Sequence, residues 1–335
     1  MGRDREIDMQ KLLLWPAVVL ALLVGCSSFE RAPLEPPQVI GGDANGPMAE
    51  VQVSLSDGAG IAALLNKNYN ETTTSCTQSG TGLARGYYWC TGVLVRTTDD
   101  GAFNPWESSP TALRLHGTSY SWIRHDLQNA GLFKPAGYVI LSPADAAANT
   151  VPGVTSFANA VQCVYPLDAW TQRTMDRSHI GCDFEGTGLT ITYSPWGSCE
   201  NRLGYSNSAQ WNARFESQGR VIYRQCSWGA DNQQGWRNMI ASHNIYTGIS
   251  QHNEVMLTNW GGTSSLPQAN EQYRESIPAF FYDVAKPGGL AIAQSFQRKM
   301  FATGRRVPIL RLSFTAAAAQ RFQFQQADQV AGQYP

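Results

Sequence analysis

Charge is scarce in this 335-residue chain: 25 Lys and Arg and 26 Asp and Glu make up only 15% of it. Soluble domains usually carry roughly 25%. With a formal net charge of −1, there is no basic field to draw nucleic acid or an anionic membrane surface. The five histidines are scattered, and neither Cys-x-x-Cys nor His-x-x-x-His spacing occurs, which argues against a structural zinc site. The nucleotide-cradling G-x-G-x-x-G and P-loop patterns are missing, and so is the G-x-S-x-G nucleophile elbow. No internal repeat is visible. The apolar run Leu12 to Val24 is 13 residues long, short of the roughly 20 that a membrane-crossing helix needs.

What is present at the start reads as an export signal. Met9-Gln10-Lys11 leads into that apolar run, and 23-LVGC-26 closes it. Leu-Val-Gly-Cys has the lipobox pattern, in which Cys26 is acylated and becomes the mature N-terminus. Ser27, rather than an aspartate, then favours the outer membrane, facing the periplasm or the surface. The competing reading is an ordinary signal peptide with an incidental cysteine and a secreted product. The acidic 1-MGRDREID-8 is unusual ahead of such a signal, so Met9 is an alternative start. Residues 1–26 are thus signal and lipobox. Residues 27–50, with 32-RAPLEPPQ-39 and 41-GGDANGPM-48, are a Pro- and Gly-rich tether. Residues 51–335 show no second linker and form a single domain.

Setting Cys26 aside leaves Cys76, Cys90, Cys163, Cys182, Cys199 and Cys226, an even number consistent with disulfides in an oxidising compartment. Six cysteines allow about fifteen connectivities. Nearest-neighbour pairing, 76–90, 163–182 and 199–226, is the expectation.

The periodicity predicts helices over 60–70, 232–244 and 288–304. Strands are predicted over 86–98, 137–142, 160–167, 188–194, 277–284 and 306–314, with 118–131 starting extended and turning helical. The stretch 208–228 is mixed. Many short strands with few helices give a β-rich α+β domain.

Three stretches carry candidate chemistry. Arg96 ends the apolar run Val93-Leu94-Val95; it is either a guanidinium fork for phosphate or carboxylate, or a solvated strand end. Ser119 and Ser121 alternate with Tyr120 in 117-GTSYSWIR-124, so on a strand both hydroxyls share one face and the phenol takes the other. Two such hydroxyls can hold a ligand oxygen, or simply face water. Glu254 precedes the apolar Val255-Met256-Leu257, with His252 two positions earlier on the same face. It is either a desolvated general base or electrostatic stabiliser, or a solvated carboxylate.

Taken in order, a strand-borne Arg, a Ser-x-Ser strand and a Glu-Val-hydrophobic-Leu strand resemble the arginine–serine–glutamate class of mono-ADP-ribosyltransferases. Further stretches are similar to the halovibrin-like family of secreted NAD-consuming bacterial proteins: 68-NYNETTTSC-76, 89-WCTGVLVRTT-98, 105-PWESSPTALRLHGTSYSWIRHDL-127, the Cys163 region, 253-NEVMLTNW-260, 278-PAFFY-282 and 304-GRRVPILRL-312. The resemblance implies a core of two packed antiparallel sheets with flanking helices. It also implies NAD as substrate, with no bound cofactor and no metal. Glu254 would stabilise the oxocarbenium-like ribosyl species and hold the ribose 2′-hydroxyl. Arg96 would grip the pyrophosphate or the adjacent ribose, Ser119 would orient Glu254, and Ser121, His252 and Tyr120 would complete the substrate-binding set. Arg96 and Ser119 are 23 positions apart but Ser121 and Glu254 are 133 apart, so a disulfide-bearing insertion over about 150–250 is expected. His252 stands where arginine-modifying transferases carry Glu. The resemblance therefore implies an NAD glycohydrolase, with His252 polarising water, ahead of transfer to a protein or small-molecule acceptor.

The tryptophans support a different reading. Trp89, Trp106, Trp122, Trp196, Trp211, Trp228, Trp236 and Trp260 could stack on sugar rings, with Asp126 and Glu254 as the carboxylate pair of an envelope glycosidase. Core packing is their ordinary use.

Overall fold

The chain enters its folded part through the helix Gly58–Asn70, started by the Asp57 carboxylate accepting the Ala59 N–H at 3.1 Å. Ile61, Leu65 and Tyr69, spaced by four, bury one face of it. The computed structural model describes residues 57–72, 76–77, 81–98, 104–107, 117–129, 131–148, 150–154, 161–169, 184–185, 192–193, 197–258, 271 and 273–335. Cys26 with its lipobox, the 27–50 tether, His116, His179, Cys182, Trp196 and Trp260 lie outside those residues. The described residues all belong to one unit, Gln52–Pro335.

Two short hairpins pair β1 (Cys76–Thr77) with β2 (Ala84–Arg85) and β7 (Phe184–Glu185) with β8 (Thr192–Tyr193). The remaining strands are β3 (Val93–Thr97), β4 (Gly117–Ile123), β5 (Ala136–Ile140), β6 (Val161–Tyr165), β9 (Trp228–Gly229), β10 (Glu254–Thr258), β11 (Phe280–Asp283), β12 (Ile309–Leu312) and β13 (Phe322–Phe324). They form one sheet in the order β13-β12-β11-β5-β3-β4-β10-β6-β9. The α+β class is as expected. The strands, however, are hydrogen-bonded into a single mixed sheet rather than two separate antiparallel ones. The parallel pair is β11 with β12, because the helix Gly289–Phe301 between them carries the chain back to the same end. Phe296 of that helix meets Phe280 with ring centroids 5.8 Å apart.

Two local readings are corrected. The stretch 86–98 is a strand only from Val93; Tyr87–Trp89 is a 3-10 turn. The turn is closed by the Thr91 hydroxyl on the Tyr87 carbonyl (2.8 Å) and by Gly92 at φ +66°, a conformation that suits glycine. A Cβ at Gly92 would also lie 2.2 Å from Trp122 Nε1. After Ile123 the chain turns rather than forming the helix expected toward residue 131. Segment 197–246 supplies edge strand β9 and the helices Ser208–Ser217 and Gln233–Tyr246.

Disulfides join Cys76 to Cys90 and Cys199 to Cys226, with Cα atoms 5.8 Å and 5.1 Å apart. Cys163 is also disulfide-bonded; its expected partner, Cys182, is outside the described residues.

The sheet has a fork. β3 and β4 pair only from Val93↔Ile123 to Val95↔Ser121. Beyond that point β3 stays with β5 as far as Thr97↔Gly137, while β4 stays with β10 as far as Gly117↔Thr258. Where the ladder stops, Arg96 Nη1 donates across the gap to the Ser119 carbonyl at 2.8 Å.

Candidate functional site

Three neighbouring strands carry the three motifs: Arg96 on β3, Ser119-Tyr120-Ser121 on β4 and Glu254 at the start of β10. The long separation in sequence between Ser121 and Glu254 therefore collapses to adjacent strands. Register decides which side chains meet. Val255 pairs with Tyr120 and Met256 with Ser119; one step further along sets Glu254 across from Ser121. Successive side chains alternate between faces, so Ser119, Ser121, Glu254 and Met256 share one face. Ser121, not Ser119, is the serine beside the carboxylate.

Arg96 and Tyr120 belong to the other face. Val95 pairs with Ser121 and Arg96 with Tyr138, and the Arg96 guanidinium lies 5.8 Å from the Tyr120 ring centroid. Convergence of Arg96, Ser119 and Glu254 on one face is thus not what the register gives. Arg96 sits half-buried in the fork and reaches the β4 backbone from there. Tyr120 is 1% exposed, and its hydroxyl is 2.9 Å from that of Tyr138. Burial raises both phenols above the usual tyrosine range, so they stay protonated. Tyr120 is a core residue, its hydroxyl turned to Tyr138.

Glu254 is 1% exposed. A buried carboxylate requires donors, and the Ala169 N–H donates to its Oε2 at 2.8 Å. Immediately before it, Asn253 is wholly buried, and its side-chain amide imitates one more rung of the ladder. Its Oδ1 accepts the Trp122 N–H (2.8 Å) and its Nδ2 donates to the Trp122 carbonyl (2.7 Å). This double bond to β4 fixes where β10 begins, and so where Glu254 stands.

His252 Nδ1 lies 3.0 Å from Ser121 Oγ and 2.9 Å from the Asn253 carbonyl oxygen. On the far side of the ring, Nε2 is 3.8 Å from Asp168 Oδ2. Asp168 belongs to the turn 166–169 after β6, and every residue of that turn is held by a side chain from elsewhere. His243 Nδ1 is 2.7 Å from the Pro166 carbonyl oxygen. The Gln225 amide accepts from Leu167 N at 3.3 Å and donates to Leu167 O at 3.0 Å. Ser250 Oγ accepts from Asp168 N (3.3 Å), and Glu254 accepts from Ala169 N. Burial lowers His243 to a pKa of about 4, keeping its ring neutral.

The sequence reading overlooked Asp168, Asn253 and Ser250. Only Ser250 and Asn253 had a local signal, being polar residues that flank the Glu254 strand. Asp168 lies in 164-VYPLDAW-170 with nothing nearby in sequence to mark it. The carboxylate paired with Glu254 in the sugar-cleaving reading, Asp126, is instead engaged by Arg124 at 3.4 Å. Trp89, Trp106, Trp122, Trp211, Trp228 and Trp236 are all at most 6% exposed, so none of them offers a sugar-stacking platform. The indole N–H groups of Trp122, Trp211 and Trp236 donate to the carbonyls of Thr91, Cys226 and Ala230. Glu200, which burial raises to about 6, accepts the Gly229 N–H on the edge strand β9 at 3.1 Å and serves as its plug. Among the described residues, no group of three or more His, Cys, Asp or Glu is arranged to hold a metal ion. Likewise, no helix among them is long and apolar enough to cross a membrane.

Compared with known proteins, the chain matches no protein-family model and no curated protein.

Proposed function

We propose that this protein is an exported enzyme that cleaves the nicotinamide–ribose bond of NAD, with water as acceptor. One observation carries the reading: Arg96, the Ser-x-Ser pair and Glu254 occupy three adjacent strands at a fork in the sheet. The order Arg, Ser-x-Ser, Glu along the chain becomes an order across the sheet, in keeping with the resemblance to the arginine–serine–glutamate transferases. The fork is where a dinucleotide would lie.

In this reading, departure of neutral nicotinamide leaves positive charge on the ribosyl ring, and the Glu254 carboxylate stabilises it in a water-poor setting. Ser121 flanks Glu254 on the substrate side. Arg96 takes a part different from a phosphate clamp: from the face away from Glu254 it ties β4 to β3 at the fork. His252 in place of a second acid beside Glu254 favours water over a guanidinium acceptor. The disulfides suit an oxidising compartment, and acylation at Cys26 would hold the protein at the outer-membrane lipid.

The deciding measurement is incubation of the disulfide-bonded chain with NAD, following nicotinamide and ADP-ribose. Equal amounts of both are expected. No nicotinamide release would overturn the reading, and ADP-ribose appearing on protein instead of in solution would overturn the choice of water.

A further inference from the structure

An oxygen nucleophile that attacks the ribosyl carbon must lose a proton, and Glu254 is poorly placed to take it. Its Oε2 already accepts the Ala169 N–H, and the residue is 1% exposed. His252 is better placed. Its Nδ1 lies 2.9 Å from the Asn253 carbonyl oxygen, an atom that can only accept. Nδ1 therefore carries the proton, and Nε2 is the basic nitrogen of the neutral ring. Ser121 Oγ, 3.0 Å from Nδ1, braces the ring from β4.

Nε2 faces Asp168 Oδ2 at 3.8 Å. This is too long for a hydrogen bond, yet a carboxylate at that distance stabilises an imidazolium by charge. The Asp168 side chain is 33% exposed and that of His252 12%, so water reaches this pair while the carboxylate of Glu254 is enclosed. The four side chains that hold the turn 166–169 keep Asp168 at this station without help from a ligand.

We propose that His252 is the base that deprotonates the nucleophile, with Asp168 as the positioning carboxylate that stabilises the imidazolium formed; the acceptor class is a neutral O–H, foremost water. The assignment rests on the NAD-cleaving reading above. As the C1′–N bond breaks, its electron pair leaves with nicotinamide, and the water oxygen bonds to C1′. The water proton passes to His252 Nε2 and from there to solvent. NAD and water thus give nicotinamide, ADP-ribose and one proton.

The test compares nicotinamide release by the parent, His252→Gln and Asp168→Asn across pH. His252→Gln is expected to lose about 10²-fold in kcat, the lower end of general-base contributions, with KM within about threefold. It should also lose the acidic limb of the kcat profile. Asp168→Asn should lose about tenfold in kcat, with KM within about threefold. The titratable groups around His252 are Asp168 on the turn after β6, Glu254 on β10 and His243 on the Gln233–Tyr246 helix. His243 is neutral above about pH 4 and does not produce this limb. A His252→Gln enzyme within about threefold of the parent, its acidic limb intact, would overturn the inference and leave the NAD reading standing. A parent that releases no nicotinamide would overturn both. If His252→Gln loses its cooperative melt, the folded Asp168→Asn protein decides alone, and an undiminished kcat sinks the inference.

Discussion

The two faces of the β4–β10–β6 part of the sheet are made of opposite materials. On one stand Tyr120, Trp122, Val164 and Val255, and there Trp236 of the Gln233–Tyr246 helix meets Trp122 with centroids 4.6 Å apart. On the other stand Ser119, Ser121 and Glu254, with Met256, Cys163, Tyr165 and Ala169 forming a small apolar cluster separate from the main core. The same strands, read by alternate residues, thus supply a structural face and a chemical one. A substitution should damage stability or turnover according to its parity along the strand.

The largest effect is expected on the aromatic face. Trp236→Ala removes a wholly buried indole packed on Trp122 and Tyr88. Such truncations cost about 3–5 kcal/mol, measurable as a lowered urea midpoint. Its Nε1 also donates to the Ala230 carbonyl, which would be left without that bond. A loss under about 1 kcal/mol would place this face outside the true core.

Next comes the chemical face. Glu254→Gln keeps the side chain's shape and its acceptor for the Ala169 N–H but removes the charge. Turnover should fall about 10²–10³-fold, the usual cost of removing a preorganised electrostatic stabiliser. The melting temperature should move by only a few degrees. Undiminished NAD cleavage by Glu254→Gln would refute the catalytic role, and unfolding of the variant would make Glu254 an anchor for the turn 166–169 instead.

The helix on the aromatic face reaches that same turn through His243, and acid tests the link. His243 is depressed from 6.5 to about 4, mainly by burial. The unfolded chain therefore binds this proton first as pH falls, so the stability present above about pH 6.5 is lost progressively down to about pH 4. The full loss is on the order of 3 kcal/mol. Over that window the parent should lose about this much more than His243→Gln in urea melts. Parallel pH curves would show that His243 is not held neutral.

Much of this was readable in the sequence. Apolar periodicity marks Gly58–Asn70, Gln233–Tyr246 and Gly289–Phe301, and the strands at 254, 280 and 309 are short apolar runs bounded by polar turns. The alternation Ser119-Tyr120-Ser121 already separated the hydroxyls from the phenol. The face taken by Arg96 was not readable, because it depends on which residue of β4 it lies beside, and that register is set across strands. The stretch 277–314 was legible as strand, helix and strand, yet its consequence, a parallel pair, was missed in favour of antiparallel sheets alone. Asp168 was invisible for a different reason. Its partner is reached through a turn anchored by His243, Gln225, Ser250 and Glu254, and no local pattern encodes four long-range contacts.

The smallest expected effect is the cleanest test of parity. Tyr120 lies between Ser119 and Ser121, so a role in substrate binding would lower affinity for NAD when its hydroxyl is removed. The structure instead gives that hydroxyl to Tyr138, 2.9 Å away, with both residues at 1% exposure. Tyr120→Phe deletes one partner of a buried pair and leaves the other phenol without it, at a cost of about 1 kcal/mol. The ring, its edge contact with Tyr138 and its packing beneath Arg96 all remain. KM for NAD should stay within about twofold while the urea midpoint falls slightly. The inverse result, intact stability with a raised KM, would put the phenol on the substrate side and undo the division of the strand into two faces.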